Sequence, residues 1–320
     1  MTNRIGTTDF VRMLRSKFHD YRRQHFDGKD NLFQPRPEGD AVVFLKEHAA
    51  ANLLIPPFAN TEQQNRIVGM IATAQRHRHF GSMQSSQAIA QSVFGTISAF
   101  NSLPMLANVI AQDGRQAFGP VLDNTALYME QAINTLGEPR PTSIDVWLEG
   151  SYRVAVECKL AEAEFGTCSR PRLKAGKAEH CDGNYAQQNK RMERCALTAI
   201  NVTYWNYLGN AFGWASDTDH RPCPLDFTYQ LARNVLAACV KDSNLDFSNG
   251  HALILYDQRN PTMAAGGKGH SQWRAAHEAI KAPSALRWLS WQAFVAQWPN
   301  DRALNWLKQE LDAKYGIRPS

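Results

Sequence analysis

The stretch 143–160, SIDVWLEGSYRVAVECKL, decides the fold. Two runs rich in Ile, Val, Trp and Tyr, at 143–148 and 152–160, flank the short break Glu149-Gly150-Ser151, the pattern of two strands joined as a hairpin. Side chains of a strand alternate between faces, so Glu157 and Lys159 share one side while Val154, Val156 and Cys158 share the other. A carboxylate and an ammonium in an otherwise apolar strand are unfavourable unless paired, exposed or bound to something. The preceding strand carries Asp145, and antiparallel return of the chain brings it beside Glu157. Two such acids repel each other without a cation, so the arrangement asks for a divalent metal. The hard ions Mg²⁺ and Mn²⁺ suit carboxylate and carbonyl oxygens. The bland alternative is a surface hairpin with a cross-strand ion pair, worth about 0 to 1 kcal/mol.

Outward from the hairpin, 125–136 reads as a helix on Leu127, Met129, Ala132 and Ile133, stopped by Gly137, Pro139 and Pro141. Further upstream, Ser85 or Ser86 caps an amphipathic helix carrying Ile89, Val93, Phe94 and Ile97, and helices are expected at 63–74 and around Phe10, Met13, Leu14 and Phe18. Downstream, residues 161–183 lack apolar periodicity and are rich in Gly, Arg, Lys and Cys, which marks a long functional loop. Helices are expected again at 184–197 and 229–240, and HALILY (251–256) reads as a buried strand. The tail from 272 onward reads as helical, with Trp273, Trp288, Trp291, Trp298 and Trp306 as core residues.

A chain of 320 residues with 43% apolar and 20% charged residues is built to fold around a substantial core. No stretch approaches the roughly 18 apolar residues of a membrane span, and the charges scattered through the first 26 residues argue against a signal core, so a cytoplasmic location with no membrane partner is expected. The net charge of +5 is compatible with a polyanionic partner without demanding one. Basic residues do cluster at 12–23, at Arg76-His77-Arg78-His79 and at 170–194.

Six cysteines in a chain read as cytoplasmic are thiols or metal ligands more than disulfides. Cys158 and Cys239 look like core residues. Cys168, Cys181, Cys195 and Cys223 all follow the charged strand, two of them in the polar loop, and four thiolates suit a Zn²⁺ ion or an iron–sulfur cluster. The absence of any Cys-x-x-Cys keeps free buried thiols as the alternative, and His180 and His220 are substitute ligands. No Gly-x-x-x-x-Gly-Lys-Ser/Thr, Gly-x-Ser-x-Gly or His-Glu-x-x-His motif is present, which removes support from energy-coupled, esterase and zinc-protease readings.

Pro141-Thr142-Ser143-Ile144-Asp145, eleven intervening residues and Glu157-Cys158-Lys159 resemble the PD-(D/E)XK nuclease superfamily, with Pro141 four residues ahead of Asp145 instead of adjacent. The string through Leu160-Ala161-Glu162 and Phe165-Gly166, with the Ser85-Ser86-Gln87-Ala88 helix start, is similar to a bacterial group of putative restriction endonucleases over roughly residues 80–260. The resemblance implies an α/β fold with a mixed central sheet flanked by helices. It divides the chain into a helical N-terminal arm or cap (1–80), a nuclease core with a cysteine-containing loop (81–260) and a C-terminal helical extension packed on the core (261–320). It implies a metal-dependent deoxyribonuclease of restriction or phage-defence type. Asp145, Glu157 and the backbone carbonyl of Cys158 would hold Mg²⁺ or Mn²⁺, and Lys159 would orient or activate water. A helix before the Asp often adds an acid, which points to Glu130, and the helix after the E-x-K strand often carries a glutamine, which points to Gln188 or Gln187. Lys190, Arg191 and Arg194, expected on one face of that helix, would grip DNA phosphates. Some members carry a four-cysteine cluster but place one cysteine ahead of the Asp motif, unlike this chain. A homodimer that cuts both strands fits the restriction type. The competing hypotheses are a nucleic-acid-binding protein with this fold but no turnover, which would bind without cleaving, and a redox-sensing metal-cluster protein, which would be coloured.

Overall fold

The computed structural model describes residues 6–35, 42–120, 124–139 and 141–320. The expected hairpin is its centre. Strands β1 (Ala126–Ile133), β2 (Thr142–Glu149) and β3 (Arg153–Lys159) run antiparallel in sequence order. The chain then crosses over through helices α4 (Trp205–Ala211) and α5 (Pro224–Cys239) and a small ribbon of β4 (Val240–Lys241) and β5 (Asn244–Leu245). It returns as β6 (Gly250–Tyr256), parallel to β3, and β7 (Leu286–Ser290), parallel to β6, completes the order β1-β2-β3-β6-β7. A strand–crossover–strand unit must cover the sheet with helix, so β3, β6 and β7 are buried along their whole lengths. This is the mixed α/β sheet that the hairpin and HALILY pointed to, with a restriction-endonuclease-like core.

Two apolar layers enclose the sheet. Val146, Val154, Val156, Cys158, Leu253 and Leu255 face a core built from α1 (Thr7–His25), α3 (Ser86–Ala99), α7 (Trp291–Ala296) and α8 (Arg302–Tyr315), where Phe94, Trp291 and Phe294 meet ring to ring. Trp147, Ala155, Ala252 and Ile254 face α4, α5 and α6 (Lys268–Ala279). Alternation along each strand therefore sorts the side chains into two cores. Helix α2 (Thr61–Gly69) packs outside α3, where Ile67 meets Gly95, and ends sooner than expected. Ser85 is the N-cap of α3, accepting from the Ala88 amide. The tryptophans are core residues as expected: Trp288, Trp291 and Trp298 are buried, and Trp273 and Trp306 pack against them at the margins. Among the described residues no helix is long and apolar enough to cross a membrane.

Three expectations need correction. Residues 126–133 are strand β1, not helix, because Leu127 and Met129 pack inward on either side of the exposed Tyr128, a period of two. Residues 184–197 form turns instead of a helix, since Asn189 and Lys190 both take left-handed backbone angles that a right-handed helix cannot contain. The tail is helical but also contributes β7 to the sheet.

His251, on β6, is fully buried, its ring nitrogens engaged by the Tyr152 hydroxyl at 3.1 Å and the Ala117 carbonyl at 2.7 Å. Burial and the nearby Arg287 hold its pKa down to about 3. The unfolded chain takes up this proton near pH 6.5 and the folded chain does not, so stability is intact above about pH 6.5 and falls as the pH drops toward 3. The slope from this group is up to about 1.4 kcal/mol per pH unit. Urea unfolding of wild type and His251→Gln across pH 4 to 8 should show a shallower loss in the variant; parallel curves would exclude His251 as an acid trigger.

Candidate active site

The strand register aligns three acids. Met129 pairs with Val146 and Gln131 with Ile144, so Glu130 of β1 stands across from Asp145 of β2. The β2–β3 ladder runs from Leu148–Val154 to Val146–Val156, and its next step sets Asp145 across from Glu157. The ladder stops there, and the Asp145 carboxylate takes its place by accepting from the Cys158 amide at 2.7 Å. The sheet thus opens where the acids converge, and a side chain satisfies a backbone donor that the missing rung would have left bare.

Glu157 and Lys159 are paired at 2.8 Å, with 5% and 10% of their side chains exposed. Helix α5 completes the pair. Gln230 donates to Glu157 Oε1 at 2.7 Å while its own carbonyl oxygen accepts from Lys159 Nζ at 3.2 Å and the Gly166 amide at 2.7 Å. One turn on, Asn234 donates to Glu157 Oε2 at 3.0 Å. Residues four apart on a helix lie on one face, which is how both amides reach one carboxylate. On the other side of the sheet's open end, Glu130 is buried, accepting from Gln87 at the start of α3 and from Ser143, each at 2.5 Å. Its left-handed backbone, φ 50°, breaks the alternation of β1 at this point.

The electrostatics divide the acids. Burial works against Glu157 ionisation, but the charge and hydrogen bond of Lys159, with Arg233 and Asn234, more than offset it and hold its pKa below the usual range. Lys159 is opposed by burial yet pushed up by Glu157, Glu162 and Asp145, so it is a firm ammonium. Asp145 is pushed well above the ordinary carboxyl range by burial, then by Glu157 and Glu130. The site therefore holds an ion pair beside a carboxyl group whose ionisation is opposed by burial and by two neighbouring acids.

Asp145, Glu157 and Lys159 line a cavity of about 610 Å³, whereas Glu130 lies at a separate pocket with Gly69 and Met70. Asp145, Glu157, Lys159 and Glu162 form the floor of the cavity, Gln230 and Arg233 of α5 one wall, and the start of α3 with exposed His77 and His79 the other. Of the residues expected from sequence, Asp145, Glu157, Lys159 and Glu130 come together, and Cys158 lines the cavity while its thiol belongs to the core. Gln188 does not line it. Its side chain bonds Asp182 and Asn184 in the cysteine loop, and Gln230 occupies the place beyond β3 that Gln188 was expected to fill. The expected basic helix face is absent too: Arg191 bonds the carbonyls of Ala178 and His180, Arg194 pairs with Asp219, and only Lys190 of the three is exposed. The spacing Gln230-x-x-x-Asn234, which sets two amides on one face of α5 beside Arg233, was the signal in the sequence for this pair.

A mixed sheet with an acid at the open end of β2, a buried Glu-x-Lys on β3 and a covering helix defines the restriction-endonuclease-like class. The chain belongs to the family described as Restriction Endonuclease associating with ARP, whose model matches residues 15–316. No curated protein and no solved structure matches it.

The division of charge has a measurable consequence. In chelator, Asp145→Asn removes a carboxyl whose ionisation is opposed by burial and by Glu157 and Glu130 while retaining an acceptor for the Cys158 amide, so it should melt at or above the wild-type temperature at pH 7 to 8. Glu157→Gln strands the buried Lys159 ammonium and should lower stability by about 3 to 5 kcal/mol. Thermal and urea unfolding in chelator separate the two; equal destabilisation by both would contradict the assignment.

Proposed function

We propose that this protein is a Mg²⁺- or Mn²⁺-dependent deoxyribonuclease, an endonuclease of restriction or phage-defence type, acting at the cavity around Asp145, Glu157 and Lys159. One observation carries the reading: three carboxylates aligned across adjacent strands, with Asp145 unable to ionise comfortably unless a cation arrives. Carboxylate and carbonyl oxygens are the hard donors that Mg²⁺ or Mn²⁺ takes, and Asp145, Glu157 and the Cys158 carbonyl are the groups that would hold it, with Glu130 behind them. A divalent cation bound there supplies Lewis acidity toward the scissile phosphate.

The rest of the work falls to the chain. The Lys159 ammonium, held protonated by Glu157, acts as a fixed positive charge toward the phosphate instead of as a proton acceptor. Gln230 fixes the Lys159 and Glu157 heads together, so the ammonium is aimed before substrate arrives. His77 and His79, exposed at the mouth, Arg78 exposed between them in sequence, and Lys190 on the cysteine loop are groups for DNA phosphates. Family membership, with Asp145, Glu157 and Lys159 on one cavity, supports the nuclease reading over binding without turnover.

Purified protein with Mg²⁺ or Mn²⁺, given linear, circular and single-stranded DNA, should cleave, and chelator should stop it. Asp145→Ala and Lys159→Ala should each lower cleavage at least about 100-fold, Gln230→Ala should lower it less, and Gln188→Ala should leave it near wild type. Salt-sensitive DNA binding without cleavage under either metal would instead support a binding protein.

A further inference from the structure

The second concentration of chemistry lies in the segment between β3 and α4. Forty-five residues, 160–204, contain two short 3₁₀ turns, at Arg170–Arg172 and Thr198–Ile200, and a single antiparallel bridge, from Tyr185 to His220. A stretch this long without regular structure needs something else to hold it. Cys168, Cys181 and Cys195 come from three separate parts of it, and Cys223 caps α5. All four line one small void of about 10 Å³. The void has room for one atom-sized guest.

The sulfurs are prepared for negative charge. The Arg170 amide donates to Cys168, the Gly183 amide to Cys181, and the Leu225 and Asp226 amides to Cys223. In each case a donor comes from two residues further along. A neutral thiol is a weak acceptor, whereas converging amides stabilise a thiolate. Arg170 borders the void, and the charge of Arg191 acts on Cys181. The Nε of Arg170 and the Nε and Nη2 of Arg191 are buried without a hydrogen-bond partner, positive groups facing no anion. Among the described residues no set of three or more His, Cys, Asp or Glu stands drawn in tightly enough to hold a metal ion, so the sulfurs must close inward on a guest. His220 takes no part, its ring stacked on Trp205 and bonded to the Ala215 carbonyl.

We propose that Cys168, Cys181, Cys195 and Cys223 bind one Zn²⁺ ion as a tetrahedral structural site that staples the 160–204 segment to the start of α5. Binding takes up one Zn²⁺ and releases four thiol protons to solvent, leaving a centre of net charge −2 that the amides and Arg170 and Arg191 offset. The site is separate from the cavity of the proposed nuclease and stands whether or not that reading does.

Elemental analysis of the purified full chain should give one zinc per chain and no iron. Replacing zinc by Co²⁺ should produce the intense visible bands of tetrahedral thiolate cobalt, and chelator should expose four more thiols to a thiol reagent. Cys181→Ser and Cys195→Ser should lose the metal while Cys239→Ala, whose thiol packs against the Gly250 carbonyl, keeps it. Should the serine variants not fold, the wild-type stoichiometry and cobalt spectrum decide alone. The same number of reacting thiols with zinc as with chelator, cobalt bands lacking thiolate character, or a brown iron-containing protein would each overturn the proposal.

Discussion

Everything in this molecule is arranged around one buried ion pair. Glu157 and Lys159 lie on a strand with no exposed residue, where two charges survive only if every remaining lone pair and proton finds a partner. That requirement sets the rest. Helix α5 must cross this face of the sheet with Gln230 and Asn234 turned inward, and Gly166 must double back to share the Gln230 carbonyl. The crossover from β3 to β6 therefore also completes the site, and the position of one side chain fixes the course of the chain for some eighty residues on.

The central sheet was legible in the sequence where local signals and tertiary demands agreed. The hairpin of β2 and β3, the HALILY strand and the Ser85 cap all carry period or capping chemistry that neighbouring segments do not overrule. The β1 segment failed because its apolar residues fit both periods, and only the β2 edge, invisible in sequence, selects the strand. The same pattern governs the site. Asp145, Glu157 and Lys159 belong to adjacent strands, so their meeting follows from hairpin geometry, whereas Gln230 is separated from Glu157 by a long segment whose path no periodicity discloses. A glutamine on a helix was expected; which helix followed the strand depended on left-handed residues at Asn189 and Lys190, and asparagine's tolerance of that conformation was the one faint cue.

The acids on the open end of the sheet are held unequally, and this gives the site its character. Glu157 is tied into the protein from three directions, Glu130 from two, and Asp145 only by the Cys158 amide. Preorganised charge of this kind is unfavourable to the folded state and useful to chemistry, the usual trade at functional sites. Lys159 moderates it without cancelling it.

The contact between α1 and α8 has a meaning for the order of folding. Phe18 packs edge-on against Tyr315, Tyr21 reaches Glu310, and the buried Lys314 grips Asn52. These two helices share one core although Tyr21 and Glu310 lie 289 residues apart in sequence, and the same core steadies α3, which carries Gln87 to Glu130. Contacts of such wide separation are slow to form, so the acid–lysine hairpin assembles ahead of the wall behind it, and ripening of the cavity is left to the last association of the fold.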